Sequence, residues 1–269
     1  MQFVIDTHVH IYPFYRVEQA LESILDNLSR TGGDATKIAC LTERYDCNMY
    51  EELAASPRNE VRNSFSIESL EGSLLISRRD GEGDFYLLPG QQVITAENIE
   101  ILSLNCLKRV VEGNSAVDTV RDILGHGGVP VIAWAPGKWF FNRGKVVRTL
   151  IDEFSPSDIA LGDTALRPLG WGLPSIMKAA KRRGFKVLYG SDPLPFAGEE
   201  LKPGTYVTLV RSDSDSASIG SLNPGRVLKN ILAANPEVKS GGSRGSLLEV
   251  LARLYRNSRA PKPLRQIAN

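Results

Sequence analysis

The chain has 269 residues, of which 42% are hydrophobic and 23% charged, with a formal net charge of +1. This composition suits a soluble globular protein with a sizeable core, and the length fits one large α/β domain or two small ones. The near-neutral charge argues against broad electrostatic attachment to nucleic acid or an anionic membrane, and no apolar run approaches the length of a membrane span.

Phe3-Val4-Ile5 predicts a short strand that ends at Asp6-Thr7-His8-Val9-His10. Over residues 17–30, Val17, Ala20, Leu21, Ile24, Leu25 and Leu28 recur at helical spacing, and Thr31-Gly32-Gly33 stops that helix. Residues 37–41 predict a second strand leading into Thr42-Glu43-Arg44, and residues 48–56 a short helix. Between residues 64 and 105, short strands at 73–79, 85–89, 91–95 and 99–105 are punctuated by turn signals such as Asp80-Gly81-Glu82-Gly83 and Pro89-Gly90. Helices at 116–124, 144–153 and 173–183 then alternate with strands at 129–134, 158–162 and 186–190, and 205–210 is a further strand. Residues 211–221 read as a loop, 222–234 and 245–256 as C-terminal helices, and 261–269 as a flexible tail.

Strands alternating with helices predict a parallel sheet, and roughly seven such strands predict a barrel, complete or distorted. The expected fold is therefore α/β: a distorted (β/α)7-type TIM-like barrel forming one domain over residues 1–260, with extra short strands in 64–105.

The chain has three histidines, and two of them are His8 and His10. Residues two apart on a strand point the same way, so both imidazoles project to one side of the strand's exit, with Asp6 behind them. Two such rings can hold a divalent metal, and a nearby carboxylate can orient a ring or bridge to a second ion. In an α/β barrel the reacting groups lie at the C-terminal strand ends. There the later strands deliver Glu43 and Arg44, then Gln92, Glu100, Asp163 with Arg167, and Asp192. Lys138 and Arg143, in the basic and aromatic run 137–145, are either a solvated helix start or the binders of a substrate phosphate or carboxylate. Pro168-Leu169-Gly170-Trp171-Gly172 is either a lid or a rigid loop. His126 precedes the 129–134 strand and is expected at the opposite end.

The ordered motifs resemble the polymerase and histidinol phosphatase (PHP) family of metal-dependent phosphoesterases, over roughly residues 3–195. Asp6-Thr7-His8-Val9-His10 is similar to its opening D-x-H-x-H, Leu88-Pro89-Gly90-Gln91-Gln92 with Thr95 to its P-G-x-E-x-T, and Gly190-Ser191-Asp192 to its closing G-S-D-A-H. Arg44, Gln92, Glu100 and Trp134 (or Ala135) stand where the family has His, Glu, His and His, and Pro193-Leu194 replaces the final Ala-His. The resemblance implies one or two divalent ions (manganese, zinc or magnesium) held by His8, His10, Asp192, Glu43 and Glu100. It implies Glu43, Lys138 and Arg167 in catalysis, and Arg44, Gln92, Lys138, Arg143 and Asp163 against a small-molecule substrate. The expected function is a metal-dependent hydrolase, foremost a phosphoesterase. An amidohydrolase-type enzyme acting on C–N or C–O bonds, and a non-catalytic binding protein with a degenerate metal site, are the alternatives.

The three cysteines, Cys40, Cys47 and Cys106, are odd in number and fit no zinc spacing, so no disulfide framework is expected. The opening MQFVID runs straight into a strand pattern without a basic and then apolar leader. A reducing, cytoplasmic setting is the expectation.

Overall fold

Phe3, Val4 and Ile5 open a strand that is buried on both faces, β1 (Gln2–Val9). The run of β-branched and aromatic residues is what a fully covered central strand requires. A computed structural model describes residues 2–55, 59–211, 223–234 and 236–260. After β1 come α1 (Val17–Gly32), β2 (Thr36–Leu41), α2 (Met49–Ala55), α3 (Asn59–Ser64), β3 (Phe65–Leu70), β4 (Ser73–Arg78) and β5 (Asp84–Leu88). Next are β6 (Gly90–Ile94), β7 (Glu100–Leu104), α4 (Ala116–Gly125), β8 (Val129–Ala133), α5 (Phe141–Glu153), β9 (Ala160–Thr164), α6 (Ser175–Arg182) and β10 (Val187–Gly190). The described chain ends with β11 (Tyr206–Arg211), α7 (Pro224–Ala233), β12 (Val238–Gly242) and α8 (Leu247–Arg259).

The strands form two mixed sheets, ordered β12-β11-β1-β2-β5-β4-β3 and β10-β9-β8-β7-β6. The wholly parallel sheet expected from the alternation is corrected. β1, β2 and β5 pair in parallel, as do β8, β9 and β10, but β11 runs antiparallel to β1 and β7 antiparallel to both of its neighbours. Between β3, β4 and β5, and between β6 and β7, the reason is local: their connecting turns are too short for a parallel crossover.

Two seams join the sheets. At one, the chain passes from β5 into β6 through Pro89, and β2 continues its parallel pairing past the switch. Glu43 N–H donates to the Gly90 carbonyl (3.1 Å), and Gln92 N–H donates to the Glu43 carbonyl (2.8 Å). At the other seam, Asp192 N–H donates to the His8 carbonyl (2.9 Å), and the Thr7 hydroxyl to the Tyr189 carbonyl (3.0 Å). Both seams need a glycine: a Cβ at Gly90 would stand 2.6 Å from the Leu41 carbonyl oxygen, and one at Gly190 would meet His8.

Three apolar clusters follow from this layout. One packs α1 on the outside of the first sheet, and a second packs α4, α5 and α6 on the outside of the other. The third lies between the sheets, with Phe3, Ile5, Ile38, Leu102, Val131 and Leu188 among its strand residues. Val227, Leu228, Ile231 and Leu232 of α7 belong to this inner cluster, so α7 covers the end opposite the parallel strands' C-termini.

Several boundaries differ from the sequence pattern. β9 lies two residues later than expected and takes in Asp163 and Thr164, polar residues that look like a strand exit but are buried. The strands β3 and β12 and the helix α3 were not anticipated. β3 and β12 are edge strands with mostly exposed side chains, so neither carries a burial pattern to read. The expected 211–221 loop and 261–269 tail lie almost wholly outside the described residues. Among the described residues, no helix is long and apolar enough to cross a membrane.

Candidate metal centre

β1 carries Asp6 and His8, and His10 follows its last residue. The register of β1 against β2 shifts between Asp6 and Val9, an irregularity that re-aims side chains at a strand end. It leaves both rings turned to the same spot: His8 Nε2 and His10 Nε2 are 3.0 Å apart. The residue after Ser191, beyond β10, supplies the third group. Asp192 Oδ1 lies 3.6 Å from His8 Nε2 and 3.8 Å from His10 Nε2. Asp192 adopts a left-handed conformation (φ 51°), unusual outside glycine, which turns its carboxylate toward the histidines.

One ligand atom from each of His8, His10 and Asp192 lies within 4.8 Å of the others, so the group could hold a metal ion. The donor set of two imidazoles and one carboxylate suits a divalent transition metal. Two ligand atoms about 2.1 Å from one ion at a tetrahedral angle stand roughly 3.4 Å apart, close to the observed spacings. The electrostatics agree. Burial, then the neighbouring His8 and Arg44, push the His10 pKa well down, so its ring is neutral and can offer a lone pair. A hydrogen bond with the Thr42 backbone orients that ring. Burial raises the Asp192 pKa, while nearby His8, Arg253 and Lys138 oppose the rise and Glu100 adds to it.

Asp6 does not join the cluster. Its buried carboxylate accepts from the backbone N–H groups of His8 (3.1 Å), Ser191 (2.9 Å) and Gly204 (2.7 Å), and from the Ser191 hydroxyl. It ties the β1 exit to the Asp192 loop. Burial pushes its pKa up to about 6, against the pull of those four bonds.

Beside the cluster is a cavity of about 510 Å³. Arg44, Gln92, Glu100 and Lys138 line it together with His10 and Asp192. Gln92 Oε1 lies 3.1 Å from His8 Nε2. Lys138 pairs with Glu100, and Arg44 pairs with Asp46 (3.0 Å) while lying over the Tyr12 ring.

Other expected site residues are not brought to the cavity. Glu43 faces the other side of its strand, because neighbouring residues alternate and Arg44 takes the cavity side. Its carboxylate accepts from Tyr50 N–H (3.0 Å) and pairs with Arg109 (3.2 Å), so it is not placed to share a metal with the histidines. Arg167 and Asp163 form a bidentate buried pair (2.8 and 2.6 Å), with the Tyr206 hydroxyl donating to Asp163 (2.9 Å). These two charges satisfy each other inside the protein. Arg143 is directed to the Gly137 carbonyl (2.8 Å) at the start of α5. His126 caps the end of α4, at the N-terminal side of β8.

Sequence reasoning placed a C-terminal helix at 245–256 but missed its part in the site. Leu254, Asn257 and Ala260 line the cavity, and Arg253 is buried behind it. Arg253 and Asn257 lie four apart and share a helix face, yet a basic C-terminal helix reads as a solvated one without its tertiary partners. The Pro168–Gly172 loop is tied down: Arg244 donates to the carbonyls of Arg167 (3.3 Å), Pro168 (3.3 Å) and Trp171 (3.1 Å). Cys40, Cys47 and Cys106 are free and buried.

The fold and cluster together define a mixed α/β protein with a metal-capable site at the C-terminal ends of its parallel strands. No protein-family model and no curated protein matches the chain. Solved structures match it at the level of fold. One is PsfC from Pseudomonas syringae PB-5123, 15% identical, covering 96% of this chain and 99% of its own, with a TM-score of 0.54. Another is a two-domain protein from Bacteroides vulgatus ATCC 8482 that contains a predicted PHP-like metal-dependent phosphoesterase. It is 13% identical, with 96% of this chain and 70% of that one covered, at a TM-score of 0.51. The fold of the present chain is thus PHP-like.

Proposed function

We propose that this protein is a metal-dependent hydrolase acting on a small phosphorylated substrate, built on a distorted seven-stranded barrel within one domain over residues 1–260. The barrel reading takes β1, β2, β6, β7, β8, β9 and β10 as one ring interrupted at the two seams, each bridged by backbone hydrogen bonds. The observation that carries the function is the convergence of His8, His10 and Asp192 beside a cavity that His10 and Asp192 line together with Lys138 and Arg44.

His8, His10 and Asp192 would hold one divalent ion, with manganese, zinc and magnesium as the candidates. When bound, such an ion lowers the pKa of a coordinated water and polarises a phosphoryl oxygen. The chain's own groups supply the rest. Lys138 and Arg44 face the cavity and offer positive charge to an incoming oxyanion. Gln92, beside His8, offers an amide to substrate or water. Glu100 holds the Lys138 ammonium and stands near enough to Asp192 to raise its pKa. The cavity is of small-ligand size.

A non-catalytic ligand-binding role draws on one observation: both of these cavity cations are already ion-paired, Lys138 with Glu100 and Arg44 with Asp46. The deciding experiment is elemental analysis of the purified protein beside the His8→Ala/His10→Ala double variant, followed by assay of a generic phosphomonoester with manganese or zinc supplied. About one ion per chain, lost in the variant together with hydrolysis, is the expected result. Metal binding without hydrolysis across phosphate, amide and lactone substrates favours the ligand-binding role. No metal in either protein after reconstitution overturns the metal site.

A further inference from the structure

The loop that carries Asp192 is held from a direction that the barrel strands do not supply. The left-handed conformation of Asp192 is sparsely populated for a residue with a side chain, and it persists only where the surroundings over-determine it. On one side the surroundings are β1, through the His8 carbonyl and the Asp6 carboxylate. On the other side is α8. Arg253 Nη2 donates to the Asp192 carbonyl (3.4 Å), and the same guanidinium grips Glu199 at both oxygens (2.8 and 2.6 Å). Glu199 in turn accepts from Leu194 N–H (3.0 Å). The two charged residues are 6% and 2% exposed, and neither lines the cavity.

A buried ion pair is weak evidence for a contribution to stability, since desolvating both charges offsets most of their attraction. What this pair does specifically is fix backbone atoms at both Asp192 and Leu194, two residues apart on the loop that aims the carboxylate. The helix that provides Arg253 also walls the cavity, at the adjacent Leu254 and, one turn on, at Asn257.

We infer that Arg253 and Glu199 are positioning residues that couple the docking of α8 to metal binding at His8, His10 and Asp192. The inference rests on the reading that this cluster holds a divalent ion. The pair holds the Asp192 backbone in the conformation that presents its carboxylate to the two rings. Coupling between sites is reciprocal, so an ion at the cluster also holds α8 in place.

The test uses the full chain and Mn2+ alone, with two readouts. Calorimetric titration gives the affinity of the wild type, Arg253→Lys, Arg253→Met and Glu199→Gln. Hydrogen exchange, with and without Mn2+, follows the amides of residues 247–259. The expected result is an affinity loss of about tenfold or more in Arg253→Met and Glu199→Gln, in the range found for groups that orient metal ligands, with partial recovery in Arg253→Lys. Mn2+ should slow exchange in α8 of the wild type and leave Arg253→Met unchanged. A merely structural pair would lower the melting temperature without moving the affinity of the folded protein. Affinity within twofold of wild type in both variants overturns the inference. So does an α8 whose exchange in the wild type is indifferent to Mn2+, a readout that stands even where the variants fail to fold. In either case the metal site itself survives if His8→Ala abolishes binding. A wild type that binds neither Mn2+ nor Zn2+ overturns the metal site and the coupling together.

Discussion

A methyl group on Gly190 would sit 2.5 Å from the Cβ of His8 and 2.5 Å from its backbone nitrogen. β10 therefore approaches β1 at a distance open to glycine alone, and this approach brings Asp192 to the histidines. Gly190→Ala is expected to destabilise the protein by about 1–3 kcal/mol through overpacking, and to weaken metal binding more than an equally destabilising change elsewhere. Denaturant unfolding beside a metal titration checks this. A variant with wild-type stability and affinity would show that the seam can open at little cost.

Arg167 and Asp163 are buried as each other's partner, so removing one strands the charge of the other. Arg167→Met leaves the Asp163 carboxylate buried with the Tyr206 hydroxyl as its remaining side-chain partner among the described residues. The expected loss is about 3–5 kcal/mol of unfolding free energy, with metal stoichiometry of the folded fraction unchanged. Loss of hydrolysis without loss of stability would return Arg167 to the catalytic role that the sequence suggested.

Asp6 gives a signed pH dependence. Its folded pKa of about 6 lies above the ordinary 3.8, so between those values the folded state holds a proton that the unfolded state has released. Stability attributable to this group is therefore fullest at and below pH 3.8 and falls as pH rises through about 6. The difference in unfolding free energy between wild type and Asp6→Asn, followed from pH 4 to 7, should slope in that direction. A flat difference would mean that the four hydrogen bonds keep Asp6 ionised throughout.

Lys138→Gln removes a cavity cation whose ion pair is partly exposed, so stability should change by less than about 1 kcal/mol. If the cavity takes a phosphorylated substrate, KM should rise by roughly tenfold or inhibition by inorganic phosphate should weaken correspondingly, as a charge-assisted hydrogen bond is lost. Unchanged phosphate inhibition would place the anion elsewhere.

A metal that binds only the folded state raises its stability by about 2.7 kcal/mol when supplied at a hundred times its Kd. Thermal unfolding with and without Mn2+ or Zn2+ should show that gain in wild type and none in His8→Ala. An equal gain in the variant would locate the ion at another site.

The chain by itself determined much of this. Hydrophobic periodicity marks α1 and the β1 and β2 strands. The D-x-H-x-H spacing at the end of β1 places two imidazoles together at a strand exit, because residues two apart share a side, while the irregularity after Asp6 sets their final aim. Gly190-Ser191-Asp192 is legible as an acid in a tight turn after an apolar strand. What a sequence cannot weigh is partner choice across long separations. Glu43 and Arg44 are equally polar neighbours, and only the orientation of β2 against β6 decides which one faces the cavity. Asp163 and Arg167 look like free site residues until they are seen to neutralise each other. Arg253 lies 61 residues from the aspartate it touches, on a helix whose pattern reads as solvent-facing. Local geometry depends on dihedral periods and is written residue by residue. Whether a charge meets substrate, metal or another charge depends on how two sheets and a last helix close around one another, and that is settled only when they pack.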